Sequence, residues 1–376
     1  MKKIFVFMLA LTLAFSMAAC SEGYSGDVIR IAVAAPMTGS NSEYGIGFSN
    51  AAKLMAKSWN EAGGITVGGK VYTVEIVDFD DKSETDEAQM VAERIVSDPG
   101  IFGVIGHFSS GVCMSTAPIY QDSQYVNISP TASHADYTGL GDYIFRNNTI
   151  IIVETRTGAE IAVKDLGGKA IGILSIDTEW GKSAGDGMEV NIAALGGNFV
   201  LRQEVATTQV DFATEVANFR SAGVDVVMVA GMYETLAPFA VAVANAGYNL
   251  AGIVGCSNGY TDNLLIVAGA AANGIRVPVS FFAGNTDPAI QAFVNTYEAA
   301  YGAKPSALTS HAYDSVGILL EAIKRADSLD REAIKKAMYE TKHEGVSGYT
   351  VFDEHGEAQK VFTKLMVKDS QFVLAE

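Results

Sequence analysis

Cysteine is scarce in this chain: three occur in 376 residues, at Cys20, Cys113 and Cys256. Cys113 and Cys256 lie far apart in the sequence, so two isolated, small apolar thiols are expected rather than a disulfide. Cations are also few, 26 against 43 acids, for a net charge of -17. Such a surface repels nucleic acid and anionic lipid, and no nucleic-acid partner is expected. An anionic small ligand is still admissible, because N–H groups and helix N-termini dominate inside a cleft. No P-loop, H-E-x-x-H or C-x-x-C occurs, and Gly45-Ile46-Gly47 lacks a third glycine. The five histidines, His107, His134, His311, His343 and His355, are scattered without ligand spacing. A metal site or activated nucleophile is therefore unsupported, no cofactor is expected, and the chain reads as a non-enzyme.

Long apolar runs are missing too, except at the start. Lys2-Lys3, an apolar stretch at 4–15 and small residues before Cys20 read as a signal peptide over 1–19. The stretch is short for a bilayer span, and nothing later approaches ~20 uninterrupted apolar residues. Ala18-Ala19-Cys20 resembles the end of a lipobox, with Met17 where leucine is commoner, so Cys20 is the expected lipidation site. Residues 20–27 would form a polar tether, and the lipid would be the only membrane contact. Removing the leader with its two lysines takes the net charge from -17 to -19.

What the chain has in quantity is apolar residue, 49%, and glycine, 38 residues. Its length exceeds what one hydrophobic core usually serves, so two domains are expected. From Val28 onward β-rich runs alternate with segments of helical period, the pattern of a parallel sheet covered on both faces. Candidate strands are 29–34, 71–77, 102–105, 125–128, 170–174, 199–205, 224–229, 253–254 and 274–279. Candidate helices are 44–62, 84–97, 114–123, 155–165, 183–195, 212–222, 235–246, 289–300, 310–326 and 331–341. The alternation breaks at Phe145-Arg146-Asn147-Asn148-Thr149 and starts afresh. After Val277-Pro278 come helices with little strand between them, which need a sheet supplied from elsewhere. Lobe 1 is therefore expected to comprise 28–147 and 278–348, and lobe 2 to comprise 148–277 and 349–376. The turn at 348–356, followed by 361–368, reads as a terminal antiparallel hairpin.

Two strand tips carry the chemistry. Val104-Ile105 runs into Gly106-His107-Phe108-Ser109-Ser110-Gly111, and Tyr125-Val126-Asn127-Ile128 runs into Ser129-Pro130-Thr131-Ala132-Ser133. A helix-like segment between them makes a β-α-β unit, whose right-handed crossover opens both carboxyl ends at one sheet edge. The hydroxyls and free N–H groups there suit a small carboxylate; the alternative is that they merely cap the following helix. His107 reads as a buried hydrogen-bonding residue.

These residues carry a family resemblance. Residues 27–39, Tyr44-Gly45, Asn60-Glu61-Ala62-Gly63-Gly64-Ile65, the run Gly106 to Ser133 and the closing 348–356 stretch resemble the periplasmic leucine/isoleucine/valine-binding proteins, substrate-binding subunits of amino-acid ABC transporters. The resemblance covers nearly all of the chain after its leader. It implies a type I periplasmic binding protein, α/β, with two Rossmann-like lobes of parallel sheet joined by three hinge crossings and a ligand closed between them. It also implies that Ser110 holds a ligand carboxylate through hydroxyl and N–H, that the Thr131 carbonyl meets an ammonium, and that Ser133 serves both groups. Phe108, Ser109 and Ala132 would line the same tips. Tyr44 matches a pocket residue, Trp180 stands where an aromatic closes over the ligand or is a core residue, and Tyr233 is expected to line the second lobe in preference to Met232.

One departure bears on the ligand. The family's loop after the strand near 254 carries an acid that pairs with the α-ammonium, and the matching position here is Ser257. Glu234, Asp262 and Glu179 are candidate substitutes. The expected function is a lipid-anchored, extracytoplasmic solute-binding protein of an ABC importer, a monomer that takes a hydrophobic amino acid. The alternatives are a non-amino carboxylate, an amide or urea-like ligand, or a ligand sensor feeding a membrane signalling protein. An importer would imply permease and ATPase partners.

Overall fold

A computed structural model describes residues 24–375. The leader and the first half of the tether, 20–23 with Cys20, lie outside the described residues. The chain first lays down β1 (Val28–Ala35), α1 (Ser42–Glu61), β2 (Ile65–Val67), β3 (Lys70–Asp80), α2 (Thr85–Val96), β4 (Ile101–Gly106), α3 (Ser110–Asp122), β5 (Asn127–Ser129) and β6 (Ile144–Arg146). Their strands form one sheet in the order β2-β3-β1-β4-β5-β6, parallel except for the β2–β3 hairpin.

The residues of β1 show why this sheet is sandwiched. Ile31, Val33 and Ala35 join the core that holds Phe48 and Ala51 of α1, while Ala32 and Ala34 join the core that holds Val91, Ala92 and Ile95 of α2. Successive side chains point to opposite faces, so a strand covered on both faces reads as a continuous apolar run.

A second sheet follows from α4 (Ile151–Glu160), β7 (Ile171–Ile176), α5 (Glu179–Ala194), β8 (Phe199–Val205), α6 (Ala213–Ser221), β9 (Val226–Ala230), α7 (Tyr233–Asn245), β10 (Gly252–Val254), α8 (Asp262–Ala268) and β11 (Arg276–Val279). The chain then leaves it. Helices α9 (Pro288–Tyr301) and α10 (Ala307–Ala326) pack on α1 of the first lobe, and α11 (Arg331–Met338) packs on α10. A small hairpin, β12 (His343–Gly345) and β13 (Gly348–Thr350), precedes the return of β14 (Thr363–Lys368) and β15 (Gln371–Leu374) to the second sheet, ordered β15-β14-β11-β10-β9-β7-β8. The polypeptide thus passes between the lobes three times, after β6, after β11 and after β13.

Two expectations need correction. Phe145 and Arg146 do not belong to a break: they are in β6, paired in parallel with β5, and the crossing starts at Asn147. Residues 348–356 do not pair with 361–368. Gly348–Thr350 pairs with His343–Gly345, and β14 pairs with β15 through the turn at Asp369 and Ser370, both at positive φ. The short strands β2 and β6 were not anticipated, because three residues carry no readable period.

Candidate functional site

Register brings the two strand tips together. Val104 pairs with Asn127 and Ile105 with Ile128, so the chain leaves β4 and β5 at the same edge. Gly106 is obligatory at this exit: its φ is +140°, and a Cβ would sit 2.0 Å from the Ala34 carbonyl oxygen. His107 lies underneath, fully buried, with Nδ1 2.6 Å from Asp81 Oδ2 and Nε2 2.9 Å from the Tyr120 hydroxyl. It is a buried hydrogen-bonding residue, as its position suggested.

The tips are stitched to each other before any ligand is considered. Ser129 Oγ donates to the His107 carbonyl at 3.0 Å and accepts from Ala132 N–H at 2.8 Å. Thr131 Oγ1 donates to the Phe108 carbonyl at 2.7 Å, and Ser133 N–H donates to Ser110 Oγ at 3.4 Å. One hydroxyl is left over. Ser133 is 2% exposed, and its Oγ has no hydrogen-bond partner. Helix α3 begins at Ser110, and Ser109, its N-cap residue, makes no side-chain capping bond. Capping therefore does not account for these hydroxyls, and the positive end of a 13-residue helix faces the same space.

That space is a cavity of about 370 Å³ between the lobes. Its volume suits a small molecule. Of the sequence-derived site residues, Phe108, Ser109, Ser110, Thr131, Ser133, Trp180 and Ser257 line it. Trp180 does so while packing against the second lobe's core. Three expected residues fall outside the lining. Tyr44 is buried behind Phe108, stacked on it at 4.8 Å between ring centroids, and its hydroxyl donates to the Asn258 carbonyl of the other lobe at 3.1 Å. Ala132 is fully buried, with its N–H committed to Ser129 and its carbonyl to Arg146 Nη1 at 3.1 Å. At the start of α7 Met232 lines the cavity and Tyr233 does not, because the helix turns Tyr233 away from it.

The second-lobe wall is acidic. Glu154, Glu179 and Glu234 line it, with Glu84 opposite, and Lys82 is the one cation among the lining residues. Lys82 pairs with Glu87 at 3.3 Å. Asp262, a suggested substitute acid, is exposed and does not line the cavity. Glu154 went unnoticed in the sequence. It sits in the first turn of α4, 4% exposed, and its Oε1 accepts from Ser257 N–H at 2.6 Å. Burial pushes its carboxyl up to about 7. Glu234 is likewise pushed up to about 7 by burial, and neither of its carboxyl oxygens has a partner. The usable signal for Glu154 was a single acid ending the apolar run 150–153, one helical turn beyond the crossing.

The lobes meet across the cleft through Tyr44 and Asn258 and through Asn263 Nδ2, which donates to Glu43 Oε2 at 2.8 Å. Cys113 and Cys256 are both buried and free. Among the described residues no group of three or more His, Cys, Asp or Glu could hold a metal, and no helix is long and apolar enough to cross a membrane.

Two sheet-based lobes, three crossings and a polar cavity at the strand tips define a type I periplasmic binding fold. The chain belongs to the periplasmic binding protein family, whose model matches residues 28–371. It is 28% identical over 332 residues to the Leu/Ile/Val-binding protein homolog 1 of Brucella abortus, covering 88% of this chain and 87% of that one. A leucine binding protein from Thermotoga maritima superposes with a TM-score of 0.85 at 25% identity, over 93% of this chain and 98% of that one. A solute binding protein of an ABC transporter from Rhodopseudomonas palustris, in complex with 3,4-dihydroxybenzoic acid, gives 0.83 at 23% identity, over 92% and 95% of the two chains.

Proposed function

We propose that this protein captures a small carboxylate-bearing solute in the cavity between its lobes and delivers it to the permease and ATPase of an ABC importer. A branched-chain or other hydrophobic amino acid is the leading ligand. The observation that carries this reading is the buried, unpartnered Ser133 Oγ beside Ser110 and the N-terminus of α3. A carboxylate there would accept charge-assisted hydrogen bonds worth ~1.5–3 kcal/mol each. The lipid anchor at Cys20, the lobe boundaries near 147, 278 and 348, and the outward-facing location belong to the same proposal.

A second reading, a non-amino carboxylate such as an aromatic acid, is favoured by the dihydroxybenzoate held by the Rhodopseudomonas relative. Calorimetric titration of the mature protein with amino acids, aromatic acids and neutral amides tests both readings. Binding of at least one carboxylate is the expected result. Binding of neutral amides alone would overturn the assignment of Ser110 and Ser133.

A further inference from the structure

The loop after β10 lacks an acid in its sequence, yet the folded chain puts one there from another element. Ser257 occupies the position where an acid was expected, and its backbone N–H holds the carboxylate of Glu154 at 2.6 Å. We propose that Glu154 is the counter-charge for a ligand ammonium, so that this cavity selects α-amino acids over the same acids without the amino group. The inference rests on the carboxylate-binding reading above and names the solute class within it.

Position is the first support. Helix α4 starts at Ile151, whose N–H donates to the Ser133 carbonyl at 2.9 Å, straight across the first crossing. Three residues at a helical rise of about 1.5 Å each carry the chain from that bond to Glu154, so the acid lies within about one turn of Ser133. Ser110, Ser133, Glu154 and Ser257 all line the cavity. Donors for a carboxylate and an acceptor for an ammonium thus line one cavity, on two walls tied together at the Ser133–Ile151 bond.

Charge is the second. The lining carries four acids and one lysine, which is already paired with Glu87. A ligand bringing only a carboxylate would add negative charge to an acidic cavity; a zwitterion would add none. Chemistry is the third. Burial pushes the Glu154 carboxyl up to about 7, the state of an acid that wants a cation beside it. The buried, unpartnered Ser133 hydroxyl points independently to a polar ligand at the same place. Glu234, which with Glu179 is another second-lobe acid of the lining, sits in the first turn of α7 and lies near Glu43. It is the rival acid for this role.

The test is calorimetric titration of the mature protein with matched pairs: leucine and 4-methylpentanoate, phenylalanine and 3-phenylpropanoate, alanine and propanoate. Wild-type protein is expected to prefer an amino acid over its deaminated partner. Glu154→Gln should weaken that amino acid by at least about 30-fold, the lower end for removing one member of a buried charge pair, and leave the deaminated acid unchanged or improved. Asp262→Asn, at an exposed acid outside the lining, should preserve the preference, and Glu234→Gln tests the rival acid. The wild-type comparison needs no variant, so a folding defect in Glu154→Gln leaves the claim exposed. A wild-type preference for a deaminated acid overturns the role of Glu154 while carboxylate binding stands, and so does a preference that moves with Glu234 instead. Failure to bind any carboxylate of either kind overturns the parent reading and this one together.

Discussion

Replacing Ser133 with alanine should move stability and affinity in opposite directions. In the described structure the Ser133 backbone is fully engaged: its N–H donates to Ser110 Oγ at 3.4 Å and its carbonyl accepts from Ile151 N–H at 2.9 Å. Neither bond involves the side chain. The side-chain oxygen is buried with no partner, a state that costs roughly 1–3 kcal/mol against a solvated hydroxyl. Removing it should leave the ligand-free protein as stable as wild type or up to about 1 kcal/mol more so. The same change deletes a donor to the ligand carboxylate, worth ~1.5–3 kcal/mol, or about 10- to 150-fold in Kd. Ser110→Ala has the opposite signature, because Ser110 Oγ is the acceptor for Ser133 N–H. Its loss leaves that buried N–H unpaired, so both stability and affinity should fall. Urea unfolding of the ligand-free proteins and calorimetric titration of the best carboxylate ligand give both numbers. If Ser133→Ala loses more than about 1 kcal/mol of stability while Kd holds, the hydroxyl is a structural group and the site is misassigned.

Gly106→Ala should be among the most damaging substitutions in the first lobe, costing several kcal/mol by urea unfolding, because its Cβ would overlap the Ala34 carbonyl at 2.0 Å in a backbone that L residues rarely adopt; a loss under about 1 kcal/mol would contradict that geometry. Arg146 is fully buried with its guanidinium held by Glu357, so Glu357→Ala should cost about 3–5 kcal/mol by leaving a buried charge unpaired, well beyond a surface ion pair. Folding raises the Glu154 carboxyl from its unfolded value of 4.5 to about 7, so the folded state holds its proton more tightly and stability falls as pH rises through that window, by roughly 3 kcal/mol for this group. Glu154→Gln should flatten that part of the stability–pH curve relative to wild type, and an unchanged slope would show that the carboxyl is not desolvated. Burial pushes the Cys113 thiol up to about 12, so iodoacetamide should label it only as the protein unfolds.

How far these features were legible in the sequence depended on whether their signal was local. The tips at Ser110 and Ser133 could be read, because a strand ending in glycine and hydroxyls declares its own edge, and two tips separated by one helix must share it. The sandwiched sheet could be read from continuous runs such as 31–35. Tyr44 was placed by its match to a family pocket residue and Tyr233 by residue type, and in both cases the rotation of a helix decides. One residue of slip on α7 exchanges Tyr233 for Met232, and no composition reveals it. Glu154 was the larger omission. It reaches the Ser257 loop from 103 positions away in sequence, through a contact between α4 and the end of β10 that only the packing of the second lobe creates. The charge on that loop was correctly absent; where its replacement came from is a tertiary fact.

That origin also bears on the proposed closure of the two lobes on a ligand. The three crossings are joined by buried polar contacts away from the cavity. Asn147 Nδ2 donates to the His311 carbonyl at 3.0 Å, Thr350 Oγ1 donates to Asn147 Oδ1 at 3.1 Å, and Lys360 Nζ donates to Thr350 Oγ1 at 2.8 Å. On the second crossing, Ser280 Oγ lies 2.6 Å from His311 Nε2. Bonds of this kind hold the strands in register and do not distinguish an open cleft from a closed one. The direct side-chain bonds across the cleft, Tyr44 to Asn258 and Asn263 to Glu43, are each worth only about 1 kcal/mol net. A ligand shifts the balance only by binding the closed form better. The proposed ligand contacts at Ser110 and Ser133 belong to one lobe and would be available in an open and a closed form alike. Differential affinity would then come from the opposite wall, where Glu154 and Trp180 stand. A solute that satisfies the first-lobe tips but offers nothing to that wall would occupy the site without closing it.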